Sequence, residues 1–299
     1  MLFSFIIPTY NYADIIGKAI ESILAQEGDD YEIVIVDDGS VDDTRQKVQA
    51  FVDQHPETIH YYYQENRGPA STRNKAAQLA RGEFIYALDA DDTLLPGALN
   101  KVRAVIAKDP TLDLVIAGYC GVFSDGRRKL KVPSQLNADK EKNFVAHMRK
   151  KCFVQNGAHV LRRSVFNEIQ YPECISGRED MVFFSHLLAV CSVGVIEEPV
   201  LEMVKHSESL RHQMDKQYGG LKIIDAIFDA NKLPQAFFKY KKECQARLCL
   251  SFFRDHYMAK DYKAARQWYY RALKTNPWMV FQWRYFKKYV KSFAFHAAT

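Results

Sequence analysis

The chain has 299 residues, 47% hydrophobic and 26% charged, with a net charge of +5, a globular composition long enough for one large domain or two. No apolar segment reaches the roughly 18 residues of a bilayer span, and Pro8 interrupts the first apolar run too soon for a secretory leader. Six scattered cysteines without a C-x-x-C pair exclude a disulfide framework or zinc site and read as reduced thiols in a cytosolic protein.

Taken in order, Phe3 to Ile7 reads as a strand, and Tyr12 to Gln26 carries apolar residues at helical spacing. Glu32 to Val36 is a second strand, ending in Asp37-Asp38-Gly39-Ser40, and a helix is expected over about 42–54. A third strand, Ile59 to Tyr63, leads through Asn66-Arg67-Gly68 to Pro69, which suits the first position of a helix running to about Ala80. The apolar strand 83–89 then ends abruptly in Asp89, Asp91 and Asp92. Three β-α units before this strand predict a parallel sheet with helices on both faces. The polar clusters at Thr9-Tyr10-Asn11, Asp37-Asp38, Asn66-Arg67 and Asp89-Asp91 should meet at one sheet edge, as a nucleotide-sized cleft.

On extended backbone, Asp89 and Asp91 would share a face. Two carboxylates so placed repel unless a cation joins them, and the hard ions Mg²⁺ and Mn²⁺ suit such oxygens and those of phosphate. The plainer alternative is a strand end followed by an Asp cap, with Pro96 opening the next helix, to about Lys108.

Further on, Leu112 to Ala117 reads as a strand, and Gly118 to Val132 as a hairpin turning at Ser124-Asp125-Gly126. Ala138 to Lys151 is a basic amphipathic helix, and Gly157 to Leu161 a strand. Glu179 and Asp180 fall in the first turn of a helix, where the dipole favours acidic residues whether or not they serve chemistry. Val193–Ile196 and Val200–Val204 read as two short strands, the second running into Lys205-His206. His206 is a surface residue on its own and a candidate ligand beside a metal.

With these residues assembled, the chain resembles the family 2 glycosyltransferases of GT-A fold, the type that builds bacterial cell-surface polysaccharide and lipopolysaccharide. The resemblance runs from about residue 3 to 210. It rests on the order of Ile7-Pro8-Thr9-Tyr10-Asn11, Val36-Asp37-Asp38-Gly39-Ser40, Asn66 to Asn74, Asp89-Ala90-Asp91, Gly177-Arg178-Glu179-Asp180 and Lys205 to Ser209. It implies an α/β domain over 1–215, Rossmann-like with a mostly parallel central sheet; the residues that remain, 216–299, read by their own pattern as an all-helical region. It also implies an inverting, metal-dependent transfer from a nucleotide-diphosphate donor, with a UDP-sugar expected, to a saccharide or lipid-linked acceptor. Pro8, Thr9 and Tyr10 would line the nucleoside, and Asp38 would accept a base N–H. Asn66, Gly68, Arg73, Asn74, Asp89 and Ala90 would approach the donor. Asp91 and His206 would hold Mn²⁺ or Mg²⁺, and Asp180, with Glu179 beside it, would be the general base. The chain lacks the Q-x-x-R-W motif and the membrane helices of polymerising members, which favours adding one sugar or few.

Residues 236–299 carry 14 Lys+Arg and 3 Asp+Glu, net +11, against 27 and 33, net −6, in the remainder. All three tryptophans lie in that stretch, and 221–299 reads as wholly helical. Ala246 to Pro277 resembles one tetratricopeptide-type helix pair, with an ordinary helical hairpin as the alternative. Trp278 to Lys291 mixes aromatic and basic residues, which suits an anionic membrane surface or, alternatively, an aromatic face packed inward. A cytoplasmic location, peripheral at the inner face of the membrane, follows from that reading, and nucleic acid is not expected as a partner. Two rival functions stand beside the transferase: a non-catalytic sugar-nucleotide or protein-binding module, and a glycoside hydrolase using Asp89 and Asp180.

Overall fold

A computed structural model describes residues 1–133, 136–175, 177–205, 221–280 and 283–294. It divides the chain into two compact units, Met1–Gly220 and Leu221–Thr299. The boundary expected at 215/216 falls within 206–220, outside the described residues.

Among the described residues, the first unit is built on one sheet of nine strands. Strands β1 (Phe3–Thr9), β2 (Tyr31–Asp37), β3 (Ile59–Tyr63) and β4 (Phe84–Ala87) pair in parallel in the order β3-β2-β1-β4. Strands covered on both faces read as continuous apolar runs, which is how β1 and β2 stand out in the sequence. Alternation sends Phe3, Phe5 and Ile7 to one face of the sheet and Ile6 to the other, so two hydrophobic layers form. The first layer takes in helices α1 (Ile16–Leu24) and α4 (Ala98–Lys108), through Ile20, Leu99 and Val102. The second takes in α3 (Pro69–Leu79), α6 (Arg163–Glu168) and α7 (Glu179–Val190), through Ala76, Phe166, Phe183 and Phe184. Helix α2 (Thr44–Gln54) joins β2 to β3, and Val48 enters the first layer.

Beyond β4 the sheet becomes mixed. Strand β8 (His159–Arg162) runs antiparallel to both β4 and β6 (Leu114–Phe123). Strand β9 (Val193–Lys205) runs parallel to β6, and the short β5 (Asp92–Leu94) closes the edge antiparallel to β9. The hairpin of β6 with β7 (Arg128–Lys131) turns where expected, and helix α5 (Lys140–Met148) precedes β8.

Three local expectations need correction. The two short strands over 193–204 are one strand, whose pairing with β6 slips at Ala117/Gly118 and Gly118/Tyr119, so Pro199 interrupts the ladder without ending it. The helix expected from Pro96 begins at Ala98, because Gly97 adopts a left-handed φ of 71° and caps it. Strand β5 leaves no pattern in the sequence, since it has three residues and its pairing partner lies beyond residue 200.

The second unit contains α8 (Lys222–Ile227), a 3₁₀ turn (Gln235–Tyr240), α9 (Lys241–Met258), α10 (Tyr262–Thr275), α11 (Pro277–Val280) and α12 (Trp283–Ala294). Ala246, Ala265 and Ala272 are fully buried and let α9 and α10 approach closely, with Cys249, Phe253 and Tyr269 filling the space between. Asp261 caps α10 by accepting from Ala264 N–H at 3.1 Å. One helix pair is present, as the sequence predicted, with no repeat of it among the described residues. No described helix is long and apolar enough to cross a membrane.

Candidate active site

The loops that follow β1, β2, β3 and β4 meet at one edge of the sheet and are bonded to one another. Asn11, with a left-handed φ of 56°, donates its N–H to Ser40 Oγ at 2.8 Å and accepts from Val41 N–H at 2.9 Å. Tyr12 N–H donates to Thr44 Oγ1 at 3.0 Å, and Ala13 N–H to Asp42 Oδ2 at 3.1 Å. The polar residues of these two motifs therefore staple one loop to the other. Gly39, at φ 85°, passes so close to Asn66 that a Cβ would lie 3.0 Å from its backbone nitrogen.

Asp38 is buried and fastens the next loop. Its Oδ1 accepts from Gln64 Nε2 at 2.7 Å and Arg67 N–H at 2.8 Å, and its Oδ2 from Gly68 N–H at 2.8 Å. A carboxylate offers about four acceptor positions, so among the described residues three are taken and one, on Oδ2, remains. Asp37 accepts from Ser40 N–H on Oδ1 and from the Tyr61 hydroxyl on Oδ2. Pro8 is half-buried, Tyr10 is 45% exposed, Asn66 is exposed, and Thr9 is buried with its Oγ1 unpartnered among the described residues.

Arg73 is the electrostatic centre of this edge. It is buried on α3, and its Nη2 donates to Asp89 Oδ1 at 2.7 Å. Its Nη1 lies 3.8 Å from Glu179 Oε1, and its guanidinium sits 5.4 Å from the ring centroid of Tyr171. Those neighbours hold its proton more tightly than usual despite burial. Nε and Nη1 of Arg73 and Oε2 of Glu179 have no hydrogen-bond partner among the described residues. Such groups are costly when buried, and they mark a place where ligand oxygens would be welcome. Burial, foremost, and then the charge of Asp180 raise the Glu179 carboxyl above its usual range, against the pull of Arg73. Asp180 stands beside it at the start of α7, its Oδ1 accepting from Met181 N–H at 2.7 Å.

The Asp89-Ala90-Asp91-Asp92 stretch does not run as extended backbone. Asp92 N–H donates to Asp89 C=O at 3.1 Å, so the chain turns immediately after β4. Asp89 and Asp91 therefore do not stand as alternate residues of an extended strand, as expected: the turn, not strand alternation, sets their relation. Their charges do concentrate, since Tyr12 is pushed up to about 12 by burial and then by Asp91, Asp89 and Asp92. Asp92 is buried beside Gly157, whose φ of 79° and tight contact with Leu201 leave no room for a Cβ. Ala90 packs into the hydrophobic core, so its side chain is not available to a ligand. Asn74 is also redirected: its amide accepts from Tyr171 N–H at 2.9 Å and donates to Tyr171 C=O at 2.9 Å, which ties α3 to the segment before α7. His206 lies outside the described residues. Among those described, no three His, Cys, Asp or Glu side chains form a ready metal cage.

Four residues of the site carry no functional signal in the sequence. Gln64 looks like an ordinary loop residue, and Tyr12 like the start of a helix. Tyr171 lies in irregular chain and donates its hydroxyl to Asn156 Oδ1 at 2.8 Å. His159 is 2% exposed on β8, with Nδ1 3.2 Å from Gln155 C=O and its ring edge-on to Phe184.

Burial lowers the His159 pKa to about 4, whereas an unfolded histidine titrates near 6.5. Between those values the unfolded chain takes up a proton that the fold refuses, so stability is lost as pH falls through that window. The expected loss from this residue is about 2 kcal/mol between pH 7 and pH 5. A His159→Leu protein should show a correspondingly flatter melting profile over that range, and parallel profiles would contradict this assignment.

The Glycosyl transferase family 2 profile matches residues 4–170, more than half of the chain, and stops short of Glu179 and Asp180. The minor teichoic acid biosynthesis protein GgaA of Bacillus subtilis is 29% identical over 193 residues, 62% of this chain and 43% of that protein. The matched segment covers less than half the length of the curated relatives found. Among solved structures, S. aureus TarS 1–349 in complex with UDP-GlcNAc superposes with a TM-score of 0.67 at 22% identity, over 86% of this chain and 73% of that one. The mannosyltransferase PcManGT from Pyrobaculum calidifontis, in complex with GDP-Man and Mn²⁺, gives 0.60 at 19%, over 97% and 83%. At such identities the likeness is one of fold.

Proposed function

The chain belongs to glycosyl transferase family 2 and has the GT-A fold, and on that premise we propose that it transfers a sugar from a nucleotide-diphosphate donor to an acceptor hydroxyl, with inversion. The observation that carries this reading is the buried Arg73, held between Asp89 and Glu179 with two nitrogens unpartnered among the described residues. A fixed guanidinium with spare donors suits the oxygens of a diphosphate and the charge that gathers there as the sugar departs.

The nucleoside is assigned to the cleft between Pro8-Thr9-Tyr10 and Asn66–Gly68, with the remaining Oδ2 position of Asp38 accepting one base N–H. Uracil offers such a group, and a UDP-sugar is our first choice of donor. Asp180 is assigned as the base that takes the proton of the attacking hydroxyl, and Glu179 as the group that positions Arg73. The charge gathered at Asp89, Asp91 and Asp92, registered by Tyr12, fits Mg²⁺ or Mn²⁺, which take one or two protein carboxylates and complete their shells with phosphate oxygens and water. Asp91 would hold the ion, with His206 as a second ligand. When bound, the ion would supply positive charge against the diphosphate. The acceptor is proposed to be a saccharide or lipid-linked glycan of the cell envelope, met at the cytoplasmic side of the membrane; the name of GgaA supports a cell-wall polymer context.

A thermal-shift screen of nucleotide sugars with and without Mn²⁺ tests this. A ligand at 100 times its Kd stabilises by about 2.7 kcal/mol, so one UDP-sugar should raise the melting temperature clearly with metal present. Asp91→Ala should abolish the metal-dependent part. Absence of stabilisation by any nucleotide sugar would favour a non-catalytic protein-binding module, stabilisation without turnover a sugar-nucleotide-binding one, and metal-independent stabilisation would remove the role given to Asp91. The hydrolase reading loses ground because Asp89, one of its two carboxylates, is committed to Arg73.

A further inference from the structure

Helix α12 is amphipathic, but its most apolar face is turned away from the core of its own unit. At about 100° per residue, three arcs follow one another around its axis. Tyr285, Tyr289 and Ser292 form the inner arc. Tyr289 stacks on Tyr269 with ring centroids 4.0 Å apart, Tyr285 meets Phe253 at 6.2 Å, and the Ser292 carbonyl accepts from Arg266 Nη1 at 2.8 Å. Trp283, Phe286, Val290 and Phe293 fall within about 80° of one another and are 72%, 38%, 53% and 53% exposed. Arg284, Lys287 and Lys291 form the third arc, all exposed.

A surface helix of a globular unit ordinarily turns its apolar stripe inward. Here tyrosines make the inward contacts, and the more apolar side chains stay largely exposed, Phe293 with one side against Arg266 and Tyr289, an arrangement that marks an interaction surface. The charge around that surface selects its occupant. From Asn276 to Ala294 there are four basic residues, Arg284, Lys287, Lys288 and Lys291, and no Asp or Glu. Trp278 in α11 is 86% exposed, and Trp283 opens the apolar arc. Tryptophan, with one apolar body and one polar N–H, favours the level of lipid headgroups. A second copy docked on the same face by two-fold symmetry would set this basic rim against itself.

We propose that this face of α12 docks on an anionic phospholipid surface. The helix would lie in the plane of the interface, with Trp283, Phe286, Val290 and Phe293 at the headgroup–acyl boundary and Arg284, Lys287 and Lys291 against lipid phosphates. The proposal rests on the side chains of α12 alone and not on the transfer chemistry.

The test is flotation of the full chain with vesicles of phosphatidylcholine alone and of phosphatidylcholine with phosphatidylglycerol, at low and high salt. Recovery with the anionic vesicles should exceed that with neutral ones by about tenfold or more and fall at high salt. Trp283→Ser with Phe286→Ser, and separately Lys287→Glu with Lys291→Glu, should each reduce recovery about tenfold. Their circular dichroism and melting should stay as in the wild type, because the altered side chains are exposed. Equal recovery with both vesicle types, no recovery with either, or wild-type recovery by the variants would overturn the proposal. So would a vesicle-free dimer abolished by the Trp283→Ser, Phe286→Ser change, which would assign the face to a second copy.

Discussion

Replacing Asp180 by Asn is expected to lower kcat by about 10²- to 10⁴-fold while leaving donor affinity within about twofold of wild type, the range for loss of a general base. The substitution keeps the shape of the side chain and an oxygen for the Met181 N–H, so the start of α7 has no reason to rearrange. It removes the ability to accept a full proton, and that is felt only as the acceptor hydroxyl attacks. A loss confined to kcat is the mark of an interaction made in the transition state. Calorimetry of donor binding and turnover assays on the same preparation separate the two effects. Glu179→Gln is the informative control. Glu179 faces Arg73 and carries a carboxyl raised by burial, so its replacement should disturb donor binding as well as rate. Near-wild-type turnover by Asp180→Asn, with turnover abolished and binding kept in Glu179→Gln, would transfer the role of base to Glu179.

Arg73→Met should destabilise the protein by about 3–5 kcal/mol, the usual cost of stranding buried charges. Methionine fills much of the arginine stem but leaves Asp89 and Glu179 facing one another without a counter-ion. The side chains of Arg73, Asp89 and Glu179 are 9%, 26% and 13% exposed, so solvent relieves little of that repulsion. Urea denaturation measures the loss. Adding Asp89→Asn to Arg73→Met should recover part of it, because one stranded charge is then neutral. The double variant should therefore fall short of the summed single effects, the signature of directly interacting groups. A cost below about 1 kcal/mol, or strict additivity, would mean that this trio does not hold the edge of the sheet together.

Much of this architecture is written in local pattern. The unbroken apolar runs of β1 and β2 announce strands covered on both faces, and the helical spacing after each announces the α layers, because burial periodicity depends only on neighbours in the chain. The loops that cross at the strand ends were legible for the same reason: residues such as Asp38 and Asn66 mark where regular structure stops.

What those residues bond to was not legible. Asp38 looked free to meet a base, yet it spends three acceptor positions on Gln64, Arg67 and Gly68. Asp89 and Asp91 looked like neighbours on an extended strand, yet a turn separates them and Arg73, 16 residues earlier, claims Asp89. His159 and Tyr171 sit in unremarkable stretches and acquire their character only from what folds around them. The antiparallel insertion of β8 between β4 and β6 is of the same kind, since periodicity tells a strand from a helix but not its direction or its partners. Helix α12 shows the division in one element. Its amphipathic pattern is plain in the order of residues Trp283 to Ala294. That the tyrosine face packs inward and the tryptophan–phenylalanine face stays exposed was settled by the partners Tyr269 and Phe253, supplied from α10 and α9. Short-range sterics and periodic burial choose the elements, whereas pairing, direction and the environment of each charge depend on atoms that approach only once the chain has folded.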